Sequence, residues 1–399
     1  MEPSLERCSS GVSGLDSLLN GGLIANRLFL VIGQPGTGKT LLGTHFLKQG
    51  LDNGEDVLFI HGEESKEDIL ANVSELGIDL SDAKFLDIGP ESQFFTQSQT
   101  YDVVNPQDVD EDDPIGEMRE AIEQYDPDRV LIDPISQLHH IEPNEYQFQK
   151  RSIAFTRFLK DNETTVMATM TPNSHGEQNH LRSLSDGVIA VDYEEEGRRI
   201  RIPKHRGVGQ EDGTHGLEIR EDGVDVYPAL RPNKQDRTFD PDQLPSGIEN
   251  LDSLLDGGLE RGTVTVITGP SGIGKSTTAK EFLQTAADNG DSPIAYLFEE
   301  SIELFSYRAQ SFDIPVSELR EAQKMTVEEI PPLTFSPEEF GDMVKRQVQA
   351  EDADLVVIDG LKGYRSSIKG GAETIDLQER LHALTRYLVN QNVTVILID

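Results

Sequence analysis

The sequence has one cysteine, Cys8, and no tryptophan. A single thiol excludes an internal disulfide framework and any metal centre built from cysteines. Cys8 is expected to serve as a small packing residue, and its isolation suits a reducing, cytoplasmic compartment. No run of about 18 apolar residues occurs, so no membrane-spanning helix is expected. The opening MEPSLERCSSGVSG lacks the apolar stretch of a secretory signal. Basic residues are scarce as well: 35 Lys and Arg stand against 72 Asp and Glu, for a formal net charge of −37. The acid is spread along the chain, with short clusters such as DVDEDD (108–113) and YEEEG (193–197). Such a chain repels itself in dilute buffer, and the repulsion shrinks near molar salt, where the screening length falls to about 3 Å. The even distribution predicts adaptation to high salt rather than one acidic docking patch.

What is present is a repeat. Residues 33–40 read GQPGTGKT and residues 269–276 read GPSGIGKS. SGVSGLDSLLNGGL (10–23) is matched by SGIENLDSLLDGGL (246–259), and Glu63-Glu64-Ser65 by Glu299-Glu300-Ser301, all at one constant offset. Constant spacing across three separate matches identifies an internal duplication. Each copy alternates short apolar runs with helical stretches. The first has RLFLVIG (27–33), VLFIH (57–61), KFLDI (84–88), RVLID (129–133) and TTVMATM (164–170). The second has TVTVITG (263–269), IAYLFEE (294–300), KMTV (324–327), LVVIDG (355–360) and VTVILID (393–399). This alternation predicts an α/β fold with mainly parallel central sheets covered on both faces. RRIRIPKHRG (198–207), GLEIR (216–220) and VDVYP (224–228) predict a further, antiparallel edge group in the first copy. Residues 89–114 are expected to form a loop or insertion, and the proline-bearing stretch 228–245 a linker. The expected domains are 1–235 and 236–399. The second stops after a core strand and is expected to be incomplete, as a fragment or as a degenerate copy.

The glycine-rich octapeptides carry the chemistry. Gly33, Gln34, Pro35, Gly36, Thr37, Gly38, Lys39 and Thr40 follow an apolar strand and open a helix, as do Gly269, Pro270, Ser271, Gly272, Ile273, Gly274, Lys275 and Ser276. In that setting the backbone amides cradle nucleotide phosphates, Lys39 and Lys275 reach the terminal phosphates, and the Thr40 and Ser276 hydroxyls suit Mg²⁺. Asp133 and Asp359 end buried strands, where an acid can hold Mg²⁺ through water. Glu63 and Glu64, with Glu299 and Glu300, close the strand after each phosphate-loop helix and could orient or deprotonate an attacking water. Glu63 and Glu299 are the expected bases. Arg198, Arg199, Arg201, Lys204, His205 and Arg206 form the one basic run on an acidic background. It reads either as a local ion-pair network or as a cationic finger for γ-phosphate, in cis or from a neighbouring subunit. His139 and His140 show no metal-ligand spacing and are read as surface or packing residues.

In this order, SGVSGLDSLLNGGL, GQPGTGKT, the EES motif, LIDPISQL and IPKHRG resemble the KaiC family of RecA-like ATPases, over nearly the whole chain. The acidic composition resembles a haloarchaeal member. The resemblance implies tandem RecA-like P-loop domains that bind ATP with Mg²⁺ between subunits of a homo-oligomeric, usually hexameric, ring. It implies Glu63 and Glu299 as catalytic carboxylates, and Lys204 and Arg206 as residues reaching the neighbour's nucleotide. It also implies a signalling or regulatory ATPase with possible regulatory protein partners. Serine/threonine autokinase activity is doubtful, because the region that follows the last central strand in the clock kinase has no counterpart here. Two alternatives stay open: a RecA/RadA-like DNA repair or recombination ATPase, and an ATP-assembled scaffold that does not hydrolyse. The single basic cluster and the absence of a zinc-ribbon signal disfavour nucleic-acid binding.

Overall fold

A computed structural model describes residues 5–89, 114–136, 145–172, 178–194, 197–231, 242–368 and 375–399. Most of 89–114, together with His139 and His140, lies outside the described residues. The chain forms two compact units, Met1–Pro228 and Ala229–Asp399. No helix among the described residues is long and apolar enough to cross a membrane.

In the first unit nine strands form one sheet: β1 (Leu28–Gly33), β2 (Val57–His61), β3 (Lys84–Asp87), β4 (Arg129–Asp133), β5 (Thr165–Met170), β6 (Gly187–Glu194), β7 (Gly197–His205), β8 (His215–Arg220) and β9 (Gly223–Tyr227). Their order is β9-β8-β7-β6-β1-β5-β4-β2-β3. Strands β1 to β6 run parallel, and β7, β8 and β9 continue the sheet antiparallel. Side chains along β1 alternate between two cores: Phe29 and Val31 face one, and Leu28, Leu30 and Ile32 the other. That period of two buries both faces of the sheet, which is why these strands read as unbroken apolar runs. The run VIAV within β6 was not among the expected strands. It carries the sheet from the parallel core to the antiparallel edge.

The second unit repeats the parallel core with β10 (Val264–Ile267), β11 (Pro293–Leu297), β12 (Thr326–Glu329), β13 (Leu355–Asp359) and β14 (Thr394–Ile398), in the order β10-β14-β13-β11-β12. This matches β1-β5-β4-β2-β3 strand for strand. The difference lies at the edge. Leu28 and Leu30 of β1 are 3% and 0% exposed in a core cluster that includes Val188 of β6, while Val264 and Val266 of β10 are 41% and 50% exposed. Among the described residues no strand pairs with the outer side of β10.

Four helices position the sites: α1 (Lys39–Asn53), α2 (Lys66–Ser74), α3 (Lys275–Asn289) and α4 (Ile302–Gln310). Gly38 and Gly274 precede α1 and α3 with φ of 102° and 104°, a left-handed conformation that costs glycine little. The Ser65 hydroxyl accepts from the Asp68 N–H at 3.1 Å, and the Ser301 hydroxyl from the Leu304 N–H at 3.3 Å. The serine of each EES motif is therefore a helix N-cap, a structural role that sets the direction in which the chain leaves the two glutamates.

Candidate nucleotide sites

In an open parallel sheet, ligands collect at the carboxyl ends of the strands, where loops from neighbouring strands converge. In the first unit the phosphate loop leaves β1, Glu63 and Glu64 leave β2, and Asp133 ends β4. Together with Pro35, Lys39, Thr40, His61 and Thr169 they line a cavity of about 210 Å³. Gly33 is required by close approach: a Cβ there would lie 2.2 Å from the Val191 carbonyl oxygen on β6. The Lys39 Nζ donates to the Gln34 carbonyl at 3.0 Å and the Thr37 hydroxyl to the same oxygen at 2.8 Å, so the loop is closed on itself. Burial lowers the Lys39 pKa, and the nearby Asp133 and Glu63 carboxylates oppose that shift. The Thr169 hydroxyl donates to Asp133. The Glu64 carboxylate accepts from the Asn72 amide at 3.2 Å, and its carbonyl contacts the His61 Nδ1 at 2.9 Å. Among the described residues no donor hydrogen-bonds Glu63, which faces the cavity exposed.

The second unit places its matched residues in the same way but connects them differently. Gly269, the stretch Ser271 to Ser276, Lys280, Glu299, Glu300, Arg308 and Asp359 line a larger cavity of about 930 Å³. The Lys275 Nζ donates to the Gly269 carbonyl at 2.7 Å. The Ser276 hydroxyl donates to one Asp359 carboxylate oxygen at 3.1 Å; the other is buried and has no partner among the described residues. Burial, aided by the neighbouring Glu300, pushes the Asp359 carboxyl up to about 6, against the Ser276 hydrogen bond and the Lys280 charge. A half-buried hydroxyl and carboxylate pair with a spare oxygen suits a hard divalent cation, which would polarise a phosphate oxygen when bound. The Glu299 carboxylate accepts the Gly363 N–H at 3.0 Å, and Glu300 is held by Arg308 at 2.7 Å and Lys280 at 3.5 Å.

The residues of the basic run have different partners. Arg201 pairs with Asp192, and Arg199 lies 4.0 Å from Glu194. Arg198 reaches its own unit's phosphate loop, donating to the Gly36 carbonyl at 3.3 Å. Lys204 and Arg206 do not enter that cavity. Lys204 donates to the Arg182 and Ser183 carbonyls at 2.6 and 3.0 Å, and Arg206 to the Ser183 carbonyl at 3.1 Å. Burial and the adjacent Arg206 lower the Lys204 pKa, against the pull of Asp186. Sequence reading missed Thr169 and Lys280. Neither carried a signal in the sequence: Thr169 lies within an apolar strand run and Lys280 within a helix.

The KaiC ATPase profile matches residues 8–231 and 244–399, one match per unit. The chain belongs to the KaiC ATPase family. A circadian clock oscillator protein KaiC of Acaryochloris marina is 27% identical over 376 residues, covering 90% of this chain and 70% of that protein. The circadian clock oscillator protein KaiC of Parathermosynechococcus lividus is 26% identical, covering 91% of this chain and 68% of its own length. The circadian clock protein KaiC2 of Synechocystis is 27% identical over 410 residues, covering 99% and 70%. As KaiC-family domains, the two units are ATPase modules, and the matched phosphate loops are the features they share.

Proposed function

We propose that this chain is an ATP-hydrolysing regulatory protein whose first unit turns ATP over and whose second unit mainly holds it. The observation that carries this reading is the contrast between Glu63 and Glu299. Glu63 faces the first cavity beside Lys39, with no donor occupying it among the described residues. Glu299 accepts the Gly363 N–H at 3.0 Å, so one of its oxygens is already engaged and its carboxylate is tied to the backbone. In the first site the loop amides and Lys39 would bind the phosphates, Thr40 and Asp133 would hold Mg²⁺, and Glu63 would orient and deprotonate the attacking water. In the second site Lys275, Ser276 and Asp359 would do the corresponding binding.

A homo-oligomeric ring is part of the proposal. Lys204 and Arg206 point away from their own cavity, and Arg206 keeps 53% of its side chain exposed, as a residue offered to a neighbour would. The test is ATP hydrolysis with Mg²⁺ in about molar KCl, the regime in which a chain of this charge is screened, with size measured by light scattering. Lys39→Ala is expected to lower turnover at least about 100-fold. Lys275→Ala should keep most of the turnover and disturb assembly. Equal losses from both changes would overturn the assignment of turnover to the first unit.

A further inference from the structure

The duplication allows the two sites to be compared position by position. Lys39 corresponds to Lys275, Glu63 to Glu299, Glu64 to Glu300 and Asp133 to Asp359. Two matched positions change from neutral to cationic: Thr44 becomes Lys280, and Asn72 becomes Arg308. Lys280 is 3% exposed, one turn along α3 from the phosphate loop. A buried ammonium is costly unless it is paired. Here the Nζ lies 3.5 Å from a Glu300 oxygen and 4.0 Å from the centre of the Phe305 ring. The first site's counterpart of that ring is Ile69, and Thr44 spends its hydroxyl on the Leu41 carbonyl at 2.9 Å. At the matched positions, then, the first site sets one ammonium against three carboxylates, and the second sets three cations against three. Outside the matched positions, Arg198 reaches the first phosphate loop from the sheet edge, and Lys362, Glu281 and Asp399 line the second cavity with charge of both signs, so the difference is that of the matched groups nearest the loop.

We infer that Lys280 is a built-in counter-cation of the second site, so that nucleotide held there depends less on a divalent ion than nucleotide in the first. A polyphosphate entering the first cavity meets an excess of carboxylate that Mg²⁺ must offset. In the second, Lys280 and Arg308 already offset it. At separations of a few ångströms near a protein surface one unit charge changes binding by a factor of ten or more. The inference rests on the nucleotide-binding reading above and adds to it a difference in metal dependence.

The test measures binding of a fluorescent ADP analogue by anisotropy to the full chain, with Mg²⁺ and with EDTA. Lys39→Ala leaves the second site to report, and Lys275→Ala the first. EDTA should weaken binding at least about tenfold in the Lys275→Ala chain and only about two- to threefold in the Lys39→Ala chain. Adding Lys280→Thr or Lys280→Met to Lys39→Ala should raise the EDTA effect to about tenfold or more, with a distinctly smaller loss of affinity in Mg²⁺. Methionine keeps the packing over Phe305 and removes only the charge. Unchanged EDTA sensitivity in both variants overturns the inference, as does an equal loss with and without Mg²⁺, which would make Lys280 merely structural. Failure of the analogue to bind either single-site chain would instead overturn the nucleotide reading itself.

Discussion

Glu64 and Glu300 stand at the same place in two copies of one fold, yet the first is held by a neutral amide, Asn72, and the second by Lys280 and Arg308. Asp133 and Asp359 differ in the same way. One accepts the Thr169 hydroxyl from the neighbouring strand; the other accepts Ser276 from the phosphate loop and faces Ile398 where Thr169 would be. Duplication has preserved the backbone frame that brings these acids together while the partners around them have changed. A shared phosphate loop is thus evidence for shared binding, and the residues one layer out decide what each carboxylate does. The sharpest way to break this comparison is to remove the proposed bases one at a time. Glu63→Gln should lower ATP turnover by about 100-fold or more, the usual scale for losing a general base. Glu299→Gln, which can still accept from Gly363, should change total turnover less than about twofold. Comparable losses would erase the distinction between the sites.

The units also differ in how a matched acid is paired. In the first, Arg129 is 1% exposed on β4, pairs with Glu55 and donates to the Ser9 and Phe46 carbonyls at 2.7 and 3.0 Å. In the second, the position of Arg129 holds Leu355, and the acid matching Glu55, Asp291, is paired by Arg261 at 2.8 Å from outside the strand. Breaking a buried pair strands both its acid and its carbonyls. Arg129→Leu should therefore destabilise the first unit by about 3 kcal/mol, while Arg261→Leu, at a side chain 19% exposed whose second partner Asp242 is 68% exposed, should cost the second about 1 kcal/mol. Hydrogen exchange resolved by unit would separate the two losses, and equal losses would refute the distinction.

A smaller exchange probes the metal position. Thr169→Ile gives the first site the residue of the second and removes one charge-assisted hydrogen bond from Asp133. It should raise the Mg²⁺ concentration needed for half-maximal turnover by about three- to tenfold, with turnover at saturating Mg²⁺ nearly restored. An unchanged Mg²⁺ requirement would show that Thr169 does not position the acid.

Much of this was legible in the sequence because it is local or repeated. The phosphate loops need glycine at Gly38 and Gly274 and a lysine next to each. The strands of a doubly covered parallel sheet are unbroken apolar runs, the constant offset between copies aligned the glutamate pairs, and the matching strand ends aligned Asp133 with Asp359. What escaped was what depends on register and on the space between elements. Thr169 lies in a run that reads only as strand, and its proximity to Asp133 follows from the pairing of β4 with β5. Lys280 reads as one more helix residue until its burial is known. The EES motif was read for its glutamates, whereas its serine acts as a cap. The partners of the basic run could not be read from spacing, since β-strand alternation sends Arg198 and Arg199 to opposite faces.

The smallest expected effect concerns pH and again separates the units. His45 on α1 is largely buried, and its Nε2 accepts the Val224 N–H of β9 at 3.0 Å, which fixes the neutral tautomer that leaves this nitrogen unprotonated. Burial lowers the His45 pKa from 6.5, against the opposing pull of Asp225 and Asp222. A histidine whose folded pKa is depressed contributes stability above its unfolded pKa, and that contribution is lost as pH falls below about 6.5 toward the folded value. His205 shifts in the same direction. The second unit has Glu281 at the position of His45 and carries no such requirement there. On lowering the pH from 8 to 5.5, hydrogen-exchange protection corrected for intrinsic rate should fall more in α1 than in α3. His45→Gln, which can still accept from Val224, should remove part of that excess, leaving the share due to His205. If α1 and α3 lose protection in parallel, or if His45→Gln leaves the excess intact, His45 is not its source.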